Sequence, residues 1–136
     1  MGTEAARALD DTYGVVIADD DPAIRAFLAA LIGGEPSLTL LGQAEDAEEA
    51  IKLTLSEKPD AVVLDWWMPE GGGPRAAREI SQARPDTGIV AFTAFHGATP
   101  SGEMLAAGAR FYLVKSERSG DEILDAIQRA ARSNGG

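Results

Sequence analysis

Residues 13–22 read Tyr13-Gly14-Val15-Val16-Ile17-Ala18-Asp19-Asp20-Asp21-Pro22. An uncharged run rich in β-branched residues stops at three aspartates and a proline. A run that is apolar throughout, rather than alternating, is the pattern of a strand buried on both faces, as in a parallel sheet. Asp21 before Pro22 reads as a helix start, because aspartate caps the free backbone N–H groups and proline suits the first helical position. The stretch therefore predicts a strand, an acidic turn and a helix in succession.

The same unit recurs along the chain. Further apolar runs lie at Leu38–Gly42, Ala61–Leu64, Gly88–Phe92 and Ala109–Val114. Between them, apolar residues fall at helical spacing: Ile24, Phe27, Leu28 and Leu31; Ala47, Ala50, Ile51 and Leu55; Ala76, Ala77 and Ile80; Ile123, Leu124, Ile127 and Ala131. Residues 100–107 form a weaker helix, because Gly102 sits inside it. Gly33-Gly34 and Gly108 read as helix stops. Asp46 with Glu49 three residues on resembles a capping box, which makes the row Asp46, Glu48, Glu49 a solvated helix face. The pattern is (βα)₅, a doubly wound α/β fold with one parallel five-stranded sheet and helices on both faces. Residues 1–12 read as an N-terminal extension, 13–132 as the folded domain, and 133–136 as a tail or the start of a linker.

The 136 residues, 45% hydrophobic and 25% charged, suit one domain with a proper core. With no cysteine, disulfides, thiol catalysis and cysteine-based zinc sites are excluded, and a single histidine, His96 in the exposed loop after the fourth strand, with no neighbouring ligands, argues against a zinc site. No apolar run approaches the roughly 18 residues of a membrane span. Residues 1–11 lack an apolar stretch of signal-peptide length, so the expected compartment is the cytoplasm. The formal charge of −10, from 22 acids and 12 bases, disfavours nucleic acid as a direct partner.

In open α/β sheets, ligands bind beyond the carboxyl ends of the strands. There the sequence places Asp19-Asp20-Asp21 after strand 1, Asp65 after strand 3, Thr93 after strand 4 and Lys115 after strand 5. Carboxylates brought together repel, and a hard divalent cation relieves them. Mg²⁺ suits such oxygens and is usually held by one or two carboxylates plus phosphate oxygens. A cation, the Lys115 ammonium and the Thr93 hydroxyl around one aspartate are what a transferring phosphoryl group requires. The acceptor would be Asp65, since a carboxylate can act as nucleophile and form an aspartyl phosphate. The bland readings stand beside these: capping for the aspartate run, a turn residue at 65, a strand-end threonine and a solvated lysine.

The segments VVIADDDPAIR, AVVLDWWMPEGGG, IVAFTA and GARFYLVKS resemble, in order and each at a strand end, the signatures of receiver (phosphoacceptor) domains of bacterial two-component response regulators, in particular chemotaxis-type receivers. The likeness runs from about Tyr13 to about Arg132. It implies a flavodoxin-like fold with strand order 2-1-3-4-5. It also implies Asp65 as the phosphoacceptor, Asp19 and Asp20 with Asp65 as Mg²⁺ ligands, and the backbone carbonyl of Trp67 as a further ligand. Thr93 and Lys115 would contact the phosphoryl group, Tyr112 would be the switching aromatic, and Met68-Pro69 and Gly73 would shape the loop after the acceptor. The two variable rim positions are Trp67 and Phe95.

The implied donor is a sensor histidine kinase or a histidine phosphotransfer protein. The implied output is a change on the face of the fourth helix, fifth strand and fifth helix, which could also serve a homodimer or act on a downstream effector domain or protein. Such a chain is no enzyme beyond catalysing its own phosphoryl transfer and autodephosphorylation. Ser116 replaces a cis-proline common in the family, and Gly71–Gly73 reads as an unusually flexible stretch. Three rivals remain open. A haloacid-dehalogenase-like phosphatase would want a second acid where Trp67 stands. A pseudo-receiver would not need all five polar residues. A flavodoxin would want a loop richer in Gly, Ser and Thr after strand 1.

Overall fold

The computed structural model describes residues 12–132; the expected tail and, apart from Thr12, the expected N-terminal extension lie outside them. Five strands, β1 Tyr13–Ala18, β2 Leu38–Ala44, β3 Ala61–Leu64, β4 Gly88–Thr93 and β5 Phe111–Val114, alternate with five helices. These are α1 Pro22–Gly33, α2 Ala47–Glu57, α3 Gly72–Ala83, α4 Ala98–Ala106 and α5 Gly120–Arg132. All pairings are parallel and the order is β2-β1-β3-β4-β5, the doubly wound flavodoxin-like arrangement.

Because successive strand residues point to opposite faces, the sheet feeds two cores. Val16, Ala18, Val62, Leu64, Ile89 and Ala91 pack beneath α2, α3 and α4. Val15, Ile17, Val63, Val90, Phe92 and Leu113 pack beneath α1 and α5. The first face is lined by small helix residues, Ala47, Ala50, Ala76 and Ala77, all fully buried.

Several boundaries differ from the sequence reading. β2 runs on to Ala44 because it carries one extra residue: Val15 pairs Leu40 but Val16 pairs Gly42, a bulge at Leu41. β5 starts at Phe111, and α4 starts at Ala98 with Pro100 inside its first turn, where no intrahelical N–H is needed. Phe27 and Leu55 were expected on buried faces and are exposed. In α1 the buried residues are Leu28 and Ile32. In α2 Thr54 takes the place expected of Leu55, its hydroxyl donating to the Ala50 carbonyl.

Asp21 caps α1 as expected, accepting from the N–H of Ala23. Gly34 closes α1 at φ −89°, so that stop does not use glycine's left-handed freedom. Asp46 accepts from the Glu49 N–H at 2.7 Å, but the Glu49 carboxylate reaches back to Glu45 N–H rather than to its capping partner. Glu48 is not simply solvated: it pairs at 2.7 Å with Arg75 of α3.

Candidate phosphoacceptor site

The site lies where the winding of the sheet reverses, between the carboxyl ends of β1 and β3. Ala18 and Leu64 are register partners, so the next residues, Asp19 and Asp65, leave the sheet side by side. The ladder continues just past them. Asp19 N–H donates to Ala44 O at 3.0 Å, and Asp65 N–H donates to Ala18 O at 3.2 Å. Both are buried, at 1% and 6% exposure, although they are carboxylates.

Burial of charge demands partners. The Lys115 ammonium supplies one, at 2.7 Å from Asp19 Oδ2 and 3.2 Å from Asp65 Oδ2. Its own position is fixed because Lys115 N–H donates to Thr93 O at 2.8 Å, across the β4–β5 pair. Burial works to lower the lysine pKa, but the Asp19 hydrogen bond and the charges of Asp65 and Asp19 outweigh it, and the net shift is upward. Burial pushes the Asp19 carboxyl up, with the nearby Asp65 charge adding to it, against the pull of Lys115 and of the Asp21 N–H. Lys115 is thus firmly cationic, while one lysine does not fully compensate two buried carboxylates.

Asp20 completes the cluster. One carboxylate oxygen from each of Asp19, Asp20 and Asp65 lies within 4.8 Å of the others. Three converging carboxylates, two of them on one ammonium, form an oxygen-donor set that fits a hard divalent cation such as Mg²⁺. The acidic turn is also braced from behind. Asp21 N–H donates to Asp19 Oδ1, and the Arg25 guanidinium donates to the Asp19 carbonyl at 2.7 Å. Arg25 escaped the sequence reading; its one available signal was its place on the first turn of a helix that begins at the acidic cluster.

The remaining expected residues surround this centre. Thr93 is fully buried at the end of β4, its hydroxyl accepting from Phe95 N–H at 3.5 Å. The Tyr112 ring is half-buried against the α2–α3–α4 core, and its hydroxyl donates to the Phe95 carbonyl at 2.7 Å. Burial, with the Asp65 charge second, raises the Tyr112 pKa. Trp67 and Phe95 stand at the rim, 55% and 44% exposed. Trp67 N–H approaches Asp65 Oδ1 at 3.4 Å. Lys115–Ser116 is not cis, as no cis peptide occurs among the described residues. His96 pairs with Glu117 at 3.3 Å across the rim.

Gly71–Gly73 is not a slack stretch. Glu70, Gly71 and Gly72 have φ of 68°, 96° and 71°, and α3 starts at once at Gly72. Gly73 N–H donates to Trp66 O at 2.8 Å. A Cβ at Gly73 would lie 2.2 Å from Asp65 O and 2.9 Å from Trp66 Cα, so only glycine lets the helix start cross the backbone at Asp65.

The comparisons with known proteins bear on the family and the fold. The response regulator receiver domain family matches residues 15–128. Among curated relatives, the transcriptional regulatory protein YxjL of Bacillus subtilis is 37% identical over 122 residues, which is 90% of this chain and 56% of YxjL. The transcriptional regulatory protein LiaR of the same organism is 30% identical, covering 87% of this chain and 56% of LiaR. The chain thus spans about half the length of the curated relatives it matches. Among solved structures, the signal receiver domain of the response regulator NarL of Mycobacterium tuberculosis superposes with a TM-score of 0.85 at 25% identity, covering 90% of this chain and 98% of that one. A two-component response regulator of the LuxR family from Aurantimonas gives 0.83 at 31%, covering 90% and 86%. Among the described residues no helix is long and apolar enough to cross a membrane. On these grounds the chain belongs to the response regulator receiver domain family of two-component signalling.

Proposed function

We propose that residues 13–132 act as a receiver that accepts a phosphoryl group on Asp65, its sole phosphorylation site, from the phosphohistidine of a sensor histidine kinase or a histidine phosphotransfer protein. The observation that carries this reading is the buried Asp65 carboxylate, held by Lys115 at 3.2 Å inside a cluster of three carboxylates on the switch-point rim. Asp19, Asp20 and Asp65, with the Trp67 carbonyl, would hold Mg²⁺, which when bound offsets the charge of the phosphoryl oxygens.

The chain's own residues do the rest. An Asp65 carboxylate oxygen attacks phosphorus; the new P–O bond forms as the P–N bond to the donor imidazole breaks, and the imidazole leaves with the electron pair and takes up a proton. The Lys115 ammonium, already within 3.2 Å, turns toward the new phosphoryl oxygens. The Thr93 hydroxyl exchanges its long contact with Phe95 N–H for one to the phosphoryl group. That movement frees space beside β5 and lets the Tyr112 ring turn further inward, which changes the surface of α4, β5 and α5. Water reaches the acceptor past Trp67 and Phe95, neither of which can orient it, so the phosphorylated form decays slowly.

The named relatives are transcriptional regulators of which the matched stretch makes up 56%, so the changed face is proposed to act on a downstream effector or to pair with a second copy. The setting proposed for this chemistry is the cytoplasm. A structure with beryllofluoride and Mg²⁺ tests the reading. Beryllofluoride should sit on Asp65, with the Thr93 hydroxyl beside the fluorines and the Tyr112 ring more buried. A ring left in place would remove Tyr112 from the switch, and an adduct on any other residue would remove Asp65 as acceptor.

A further inference from the structure

Trp66 follows the acceptor directly and was assigned no role by sequence. Its indole is half-buried against the core under α2, α3 and α4. Its Nε1–H donates to the Glu103 carboxylate of α4 at 2.8 Å, across 37 residues of chain. Its ring meets Phe95 edge-on, with centroids 4.9 Å apart and planes at 68°, a favourable aromatic geometry. Its carbonyl is pinned by the Gly73 N–H. One residue thus joins the backbone that carries Asp65 to the start of α3, to the β4–α4 loop and to α4.

These links matter because α4 has little else. Gly97 precedes it with no side-chain cap, Gly102 lies inside it, and Met104 is its one buried residue. Leu105 is half-exposed. Glu103 adjoins that single buried side chain, so its solvent-exposed bond to Trp66 and the burial of Met104 help fix where the helix sits, beside the anchor at its end, where Ala107 is buried and its carbonyl accepts from the Ser81 hydroxyl. Segments held by few buried contacts open locally at low cost, and removing one bond from such a segment shows in its own amides before it shows elsewhere.

We propose that Trp66 is a positioning residue: its indole ties α4, through Glu103, and the β4–α4 loop, through Phe95, to the end of β3, so that α4 is held in register with the acceptor. The consequence for signalling rests on the reading of Asp65 as phosphoacceptor; the tether itself does not. It meets the path through Thr93 and Tyr112 at Phe95, while its bond to Glu103 lies outside that path.

Amide hydrogen exchange on the whole chain tests it in two arms. Without any phosphoryl mimic, Trp66→Phe keeps a ring but loses the N–H, and Glu103→Ala loses the acceptor. Each should speed exchange in residues 98–106 by about fivefold, the order expected for one charge-assisted bond. Residues 120–132 should change by less than about twofold. Glu103→Gln, which keeps a carbonyl oxygen but loses the charge, should fall between wild type and Glu103→Ala, and the double variant Trp66→Phe with Glu103→Ala should be no faster than the faster single one. Unchanged α4 amides in Glu103→Ala, effects that multiply in the double variant, or loosening spread equally over α4 and α5 would each overturn the tether.

In the second arm, beryllofluoride and Mg²⁺ are added. The change they cause in α4 exchange should be at least halved in Glu103→Ala and reduced less in Glu103→Gln; an undiminished response in Glu103→Ala would overturn the consequence for signalling. A wild type that forms no adduct strikes the acceptor reading alone, and the first arm still decides the tether.

Discussion

At the end of β3 the backbone is clamped from every side. Asp65 N–H continues the ladder to Ala18, Lys115 bridges Asp65 and Asp19, and Gly73 crosses the chain so closely that a single methyl would not fit. A few residues away, α4 begins on an uncapped glycine and keeps one side chain in the core. The Phe95 and Leu105 side chains around it are about half-exposed. The contrast fits the proposed function: groups proposed to meet a reacting atom sit on rigid elements, whereas the element proposed to respond is drawn from the weakly held part of the fold.

The contrast can be broken by substitution at its two glycines. Gly73→Ala would force apart α3 and the acceptor loop, at a cost of about 3 kcal/mol, the upper range for overpacking a tight site. Denaturant unfolding measures it, and a loss below about 0.5 kcal/mol would show that the crossing yields easily and that the clamped side is not clamped. Next in size is the metal. Mg²⁺ at one hundred times its Kd should stabilise the native state by about 2.7 kcal/mol, since only the folded chain gathers the three carboxylates. Asp20→Asn should remove most of that gain. Melting curves in Mg²⁺ and in a monovalent salt of equal ionic strength separate the effect from screening; coincident curves would remove the metal site.

The rim joins the two regions. Replacing Trp67 by Asn and Phe95 by Glu gives water both access and a group to orient it, so the aspartyl phosphate should decay about tenfold faster, roughly 1.4 kcal/mol in barrier. Decay measured after donor removal, with Mg²⁺ present, decides this, and equal rates would show that the aromatics shield nothing. The smallest effect has the opposite sign to the first. Gly102→Ala meets no atom within 4 Å, and helical alanine is favoured over glycine by up to about 1 kcal/mol, so this change should stabilise α4. A destabilised variant would mean that α4 relies on a packing contact absent from the structure.

How much of this could be read from sequence also divides along the contrast. The clamped side was legible because four of the five apolar runs lead straight into a polar residue, Asp19, Asp65, Thr93 or Lys115, and parallel strands bring those four to one rim. The bulge at Leu41 was not legible, since LTLL and its neighbours continue the strand pattern whichever residue is left out of register. Gly71–Gly73 read as slack because sequence reports conformational freedom but not the backbone that passes within reach of a missing Cβ. Leu55 outranks Thr54 on hydrophobicity, yet the position of Thr54 on the helix faces the core and its hydroxyl finds a carbonyl one turn back. The Trp66–Glu103 and Arg25–Asp19 bonds depend on how helices settle against the sheet, which spacing along a chain does not encode.

The most direct test of the account is the intact mass of the chain after incubation with acetyl phosphate and Mg²⁺. Wild type should gain one phosphoryl group and Asp65→Asn none, while Gly102→Ala, on the weakly held side, should load like wild type. Equal gain in Asp65→Asn would contradict the assignment of the acceptor and with it the reading of the rim as the site of chemistry.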